Sequence, residues 1–292
     1  MKPAPFAYHR PSTRDEVDEL LAGHGDRATI LAGGQSLVPL LNLRLVVPEH
    51  VIDINGLDDE AAEPGEDNGR LTIGPLVRQA AVERSSLVAR AAPLLGEAVR
   101  HVAHPAIRSR GTVLGSTAHA DSAAEIPAAL LVLDAEAVLR SKRGERTVPV
   151  HELFVGFLQT CLASDEWLVE LRLPASDPPG GAVEEFARRH GDYALCGVAA
   201  VAAEQTDGSF GVALAFFGIG GVPQRIGLGT LQREALEGDE LVAVMHEAAL
   251  PRLEPVTDVH ATASYRLWLA ERLGARAVRR AAGLAGSNGS AS

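Results

Sequence analysis

The stretch ILAGGQSLVPLL, residues 30–41, leaves the chain few paths. An apolar run of strand character stops for Gly33, Gly34, Gln35 and Ser36, and an apolar run of helical character then begins. A strand-to-helix turn needs one glycine. Two in succession let neighbouring backbone N–H groups swing towards one point, as in a nest that holds an anion. The helix that follows adds the positive end of its dipole, and the side chains of Gln35 and Ser36 can donate to phosphate oxygens. Two readings stay open on these residues: a diphosphate cradle, or a Gly-Gly turn with Ser36 as the helix N-cap.

A second polar, glycine-bearing stretch, RGTVLGSTAHAD, presents the hydroxyls of Thr112, Ser116 and Thr117, then His119, Asp121 and Glu125. It lies in a long segment that reads as a loop, and loops of that length are usually functional. His119 beside Asp121 could form an acid–base or metal pair, but no third ligand stands at a convincing spacing. Two such stretches, with no metal or nucleophile motif, point to a large phosphorylated cofactor held from two sides. There is no Gly-Lys dipeptide for a P-loop, no HExxH helix and no Gly-x-Ser-x-Gly elbow. GIGGVP opens like a dinucleotide fingerprint, but Pro223 stands where its last glycine belongs.

The 38 acidic and 27 basic residues give a net charge of −11, which argues against nucleic acid and anionic lipid as partners. Two cysteines, Cys161 and Cys196, cannot supply the four thiolates of an iron–sulfur cluster; they read as buried thiols in a reducing compartment. The N-terminus has no apolar signal segment, and the apolar stretch 212–222 is short and broken by glycines, so a cytoplasmic protein without membrane spans is expected.

Along the chain, Thr13 and Glu16 form a capping-box pattern for a helix over about residues 14–22, followed by strands at ATILAG and HVIDI. A helical stretch spans residues 79–102, with a break near Pro93. A hairpin turns at KRGE, and WLVELRLP is a further strand. ASDPPGG is the best linker candidate. Beyond it three antiparallel strands are expected, then helix over about residues 231–282 and a flexible tail. The expected domains are residues 1–177, with subdomains of about 1–55 and 56–177, then 178–283, then the tail 284–292.

KPAPFAYHRPST through VIDI, IRSRGTVLGSTAHADSAAEIPAALLVLDAEAVL and RRHGDYALCGVAA, in this order, resemble the FAD-binding medium subunit of molybdenum hydroxylases of the xanthine dehydrogenase and carbon monoxide dehydrogenase type. The resemblance runs over nearly the whole chain. It implies an α+β architecture: a two-subdomain FAD-binding fold of the PCMH type, built of α/β units with flavin held between them, then a smaller α+β domain with a three-stranded antiparallel sheet and helices. The first motif, Ala32, Gly33, Gly34, Gln35, Ser36 and Leu37, then meets the FAD diphosphate. The second carries over to Ile107, Thr112, Gly115, Ser116, His119, Asp121 and Glu125, around the diphosphate, ribose and flavin. Leu168 matches a position near the isoalloxazine, and Tyr193 in GDYA one close to the flavin face.

The chain departs from the family pattern at Leu114, where glycine is usual, and at Ser122, where proline is common. A leucine resists the positive φ that glycine allows, and the lost proline loosens its turn.

The resemblance also implies an electron-transfer role. A small partner subunit would carry two [2Fe-2S] clusters and a large one the molybdopterin cofactor, as a dimer of heterotrimers. Electrons would pass from the clusters to FAD on this chain and on to an outside acceptor, so no catalytic base and no metal are expected here. The alternative is a stand-alone FAD-dependent oxidase of related fold. A bulky residue at Gly33 is expected to abolish FAD retention and leave the fold largely intact.

Overall fold

The computed structural model describes residues 2–58, 60–175 and 178–284; Ser176 and Asp177 of the candidate linker, and residues 285–292 of the tail, lie outside them. The chain opens with strand β1 (Ala7–His9), helix α1 (Arg14–His24), strand β2 (Ala28–Leu31), helix α2 (Leu37–Leu43) and strand β3 (His50–Asp53). The strands form a parallel sheet in the order β1-β3-β2. The capping box forms with a shift: Thr13 Oγ1 accepts from Glu16 N–H, and the Glu16 carboxylate accepts from Ser12 N–H at 2.7 Å. Val17 and Leu21, one turn apart on α1, bury against Ile52 and Ile54.

Next come β4 (Gly65–Asp67), β5 (Arg70–Ile73), α3 (Gln79–Arg84), α4 (Ser86–Ala91) and α5 (Pro93–His101). The helical stretch breaks at Ala92, before Pro93, as expected, and is cut once more at Ser85. The polar segment expected to be a loop holds two short helices, α6 (Pro105–Arg108) and α7 (Val113–His119), before α8 (Glu125–Val132). Proline at the first turn of α6 and Thr112 as the N-cap of α7 are what make helix of it. The hairpin of β6 (Glu136–Ser141) and β7 (Gly144–Pro149) leads through α9 (Val150–Leu153), β8 (Phe154–Gly156) and β9 (Gln159–Thr160) to β10 (Trp167–Pro174). An antiparallel sheet in the order β4-β5-β10-β6-β7 results. Helix α1 is also tied to this sheet, since buried Asp18 accepts from Trp167 Nε1 and Arg140 Nε, each at 2.8 Å. A carboxylate can stay inside only because both oxygens are bonded and one partner is charged.

By contacts the chain forms two units. The first comprises Met1–Ala91, His104–Ala120 and Asp134–Ser176; the second comprises Ala92–Ala103, Asp121–Leu133 and Asp177–Ser292. In the second unit β11 (Gly180–Phe186), β12 (Cys196–Glu204), β13 (Phe210–Phe217) and β14 (Gln224–Leu231) form an antiparallel sheet. The sheet has four strands, not the three expected. The fourth was hidden by its composition: β14 is an edge strand with Gly227 and Gly229, it pairs through a bulge, and only Ile226 along it is buried. Helices α10 (Arg233–Glu237) and α11 (Glu240–Val244) lead to α12 (Ala263–Ala281), and residues 253–262 between them are not helical. Leu269, Leu273, Ala277 and Val278 of α12 pack on Val198, Ala200 and Leu214 of the sheet, forming the unit's core. No helix among the described residues is long and apolar enough to cross a membrane.

Candidate functional site

The turn between β2 and α2 is closed through its carbonyls. Gly34 C=O accepts from Val38 N–H at 3.0 Å, Ser36 C=O from Leu40 N–H at 3.3 Å, and Gly33 C=O from Gln35 Nε2 at 3.1 Å. Among the described residues no hydrogen bond of the turn uses the N–H groups of Gly33, Gly34, Gln35, Ser36 or Leu37. Gly34 supplies the left-handed conformation, with φ +72°. Ser36 makes no side-chain cap, so its hydroxyl is not what starts α2. Of the two readings of these residues, the anion nest is the one whose donors remain available. Helix α2 is only seven residues long, and its dipole adds little.

Gly33 has a task beyond the one expected. A Cβ there would lie 2.5 Å from Arg110 O and 2.7 Å from Gly111 Cα. The missing side chain admits the backbone of the second motif, so a bulky residue at Gly33 must displace that motif and disturb the fold. The corner is further stitched by residues the sequence reading passed over. Arg78 donates to Arg110 O at 2.6 Å and to Asn55 Oδ1; Asn55 Nδ2 in turn donates to Ala32 O at 2.8 Å. Gln79 N–H donates to Gly111 O at 2.8 Å, while its buried Oε1 has no partner. Asn55, Arg78 and Gln79 sit in DINGL and VRQA, where no motif marks them. Only the abrupt polarity after apolar runs could have drawn attention.

The second motif is a helix start. Thr112, 2% exposed, accepts from Gly115 N–H at 3.0 Å. Ser116 follows on α7, half-buried, and His119 ends the helix. Thr117 is occupied with Val113 O at 3.0 Å and takes no part. Ile107 C=O accepts from Gly111 N–H at 2.8 Å, which sets the backbone that meets Gly33. Leu114 lies inside α7, buried and outside the positive-φ region, so the departure from glycine leaves the path unstrained. Leu168 is buried in β10, on the face opposite Trp167 and Val169, and β10 packs against α7.

Asp121, Glu125 and Tyr193 belong to the second unit. Asp121 Oδ1 accepts from Ala123 N–H at 2.9 Å, which closes the turn that Ser122 in place of proline would otherwise loosen. Glu125 is 9% exposed, and burial, reinforced by the Glu185 and Asp121 carboxylates, pushes its pKa up to about 8. At neutral pH it is a neutral acid that can donate a hydrogen bond. Tyr193 is 67% exposed, yet the protein around its hydroxyl, the Asp121 and Glu125 charges and a hydrogen bond to Asp121 raise its pKa. The segment after it is held by Arg266, which donates to Leu195 O and Gly218 O and pairs with Asp258 at 2.7 Å. GIGGVP is accordingly a turn gripped from below, not a nucleotide loop.

The structure thus brings Ala32 and Gly33 against Thr112, Gly115 and the Ile107-anchored backbone, with Gly34, Gln35, Ser36 and Leu37 on the same turn. Within the first unit, the unengaged backbone donors and polar side chains are a donor set that suits an anionic, hydrogen-bond-accepting cofactor such as FAD.

The comparisons agree. Residues 4–176 match the family described as FAD binding domain in molybdopterin dehydrogenase, and residues 181–281 match the CO dehydrogenase flavoprotein C-terminal domain. The chain is 39% identical to 6-hydroxypseudooxynicotine dehydrogenase complex subunit alpha of Paenarthrobacter nicotinovorans, over 96% of this chain and 97% of that one. It is also 39% identical to caffeine dehydrogenase subunit beta of Pseudomonas sp. strain CBB1, over 97% and 96% of the two chains. Among solved structures it is similar to carbon monoxide dehydrogenase from Hydrogenophaga pseudoflava, in a form lacking the Mo-pyranopterin moiety of its molybdenum cofactor. The TM-score is 0.88 at 31% identity, covering 98% of this chain and 100% of that one.

Proposed function

The chain belongs to the FAD-binding medium subunits of the molybdenum hydroxylases, and on that premise we propose how its residues serve the cofactor. The N–H groups of Gly33, Gly34, Gln35, Ser36 and Leu37, with Ala32 beside them, hold the diphosphate, as do Thr112, Gly115 and Ser116 on the start of α7. Ile107 and His119 flank that region. Asp121 and Glu125 bond to the ribose and flavin side, Leu168 packs near the isoalloxazine, and Tyr193 covers the flavin face. The observation that carries this reading is the turn at 33–37, whose carbonyls are engaged and whose N–H groups are not. Glu125 suits the ribose and flavin side because a protonated carboxyl can donate a hydrogen bond there.

When bound, FAD supplies the redox chemistry, relaying electrons to an external acceptor; the protein binds it, orients it and limits access to its face. The electrons come from [2Fe-2S] clusters on a small partner subunit, with the molybdopterin cofactor on a large one, as a dimer of heterotrimers. Along the sequence the family matches support domain limits of 1–177 and 178–283, followed by the tail, although by contacts residues 92–103 and 121–133 join the second unit; the complex is cytoplasmic. Free Cys161 and Cys196 support a reducing compartment, and burial pushes the Cys196 thiol up to about 12, which leaves it inert.

The test is an absorbance spectrum of the chain co-expressed with its genomic neighbours, with the flavin released and identified. One FAD per chain, with iron–sulfur and molybdenum subunits co-purifying, is expected. A colourless chain that takes up no added FAD would overturn the reading. Turnover of an organic substrate by this chain alone would favour the stand-alone oxidase.

A further inference from the structure

His9, His24 and His50 are far apart in sequence and meet in space. Ala7 pairs with His50 and His9 with Ile52 in the parallel sheet. Side chains alternate along a strand, so His9, His50 and Ile52 share one face. Ile52 packs beneath Val17 and Leu21, which makes it the face covered by α1, and α1 ends at His24. His9 Nε2 lies 2.9 Å from His50 Nδ1, and the His24 and His50 rings stack with centroids 3.5 Å apart. One ring nitrogen from each residue can be chosen so that all three lie within 4.8 Å of one another.

From this geometry we propose that His9, His24 and His50 form a binding site for one divalent transition-metal ion of borderline softness, Zn2+ foremost. Three imidazoles and no carboxylate are a donor set for Zn2+, Ni2+ or Cu2+ and a poor one for Mg2+ or Ca2+. Among the described residues it is the one such cluster of metal-ligating side chains. His24 Nδ1 is enclosed without a hydrogen-bond partner among the described residues, a buried polar atom that calls for a ligand. An open groove of about 540 Å³ lined by His9, His24, Glu16 and Glu19 gives a small cation a way in.

With Zn–N bonds of about 2.0–2.1 Å, tetrahedral ligand nitrogens stand ~3.3–3.4 Å apart. Binding therefore replaces the His9–His50 contact, opening it by roughly 0.4 Å, and turns the stacked His24 ring so that its lone pair meets the same point. The fourth position is left for water. The ion would clasp β1, β3 and the end of α1, a structural role independent of flavin.

The test uses the untagged full chain, stripped of metal with a chelator, and Zn2+ alone as the probe. Metal analysis after dialysis is expected to give one Zn2+ per chain. Zn2+ should raise the melting temperature of the unmutated chain and a chelator should reverse the rise, a readout that needs no variant. His9→Gln, His24→Gln and His50→Gln should each weaken binding at least roughly tenfold, with the flavin content of the purified protein unchanged. No Zn2+ retained by the unmutated chain would overturn the proposal. So would Zn2+ held equally by all three variants, which would place the metal elsewhere.

Discussion

The turn at residues 33–37 and the segment from Asp121 to Glu125 are both polar interruptions in an apolar chain, yet in the role proposed for them they would meet a ligand in opposite ways. The turn offers backbone N–H groups, whose charge does not vary with pH, fixed in place by the carbonyl bonds of Gly33, Gly34 and Ser36. The second segment offers side chains, and the state of its buried member, Glu125, depends on its surroundings. Backbone recognition is a matter of packing and fails when packing fails. Side-chain recognition is a matter of protonation and fades with pH.

The largest effect that separates the two is expected at Gly33. Gly33→Val places a branched side chain where Arg110 O would lie 2.5 Å from the Cβ alone, so the second motif must shift. Stability of the first unit should fall by roughly 3 kcal/mol or more, with flavin lost at every pH. Denaturant unfolding with flavin analysis checks this. Loss of flavin with unchanged stability would return Gly33 to the role of a ligand-facing residue.

The segment at Glu125 should behave otherwise. Its folded pKa of about 8 stands above the ordinary 4.5, so the folded form keeps a proton that the unfolded form releases. Its contribution is fully present below pH 4.5 and is lost as pH rises through about 8, at up to about 1.4 kcal/mol per pH unit within that window. Glu125→Gln removes the titration, so unfolding curves at pH 5, 7 and 9 should show the variant gaining on the unmutated chain towards alkaline pH. Parallel pH dependences would show that Glu125 is charged in the fold.

The sequence made the glycine turn visible because its proposed role and its local structure use the same residues: strand, Gly-Gly, polar pair, helix. It hid what the turn rests on. Asn55 and Arg78 reach Ala32 and Arg110 across the fold, and no spacing encodes a contact of that kind. Thr112 looked like a loop hydroxyl because seven residues of helix between two polar ends carry too little periodicity to be seen. Edge strand β14 was lost for a related reason: its glycines read as loop, and its one buried side chain leaves no alternation. The three histidines were illegible altogether, since it takes the register of β1 on β3 and the packing of α1 over that face to put them together.

The smallest expected effect refines the comparison from within the turn. Were Ser36 an N-cap, its loss would cost about 1 kcal/mol of stability. Its side chain makes no capping bond, so Ser36→Ala should change stability by less than about 0.5 kcal/mol. If its hydroxyl instead donates to the diphosphate, the same change should weaken FAD binding by roughly tenfold, the worth of one hydrogen bond to a charged acceptor. Paired measurements of unfolding and flavin affinity on this variant separate a residue that shapes the turn from one that uses it. A stability loss with unchanged flavin affinity would mean that the turn recognises its ligand through backbone alone.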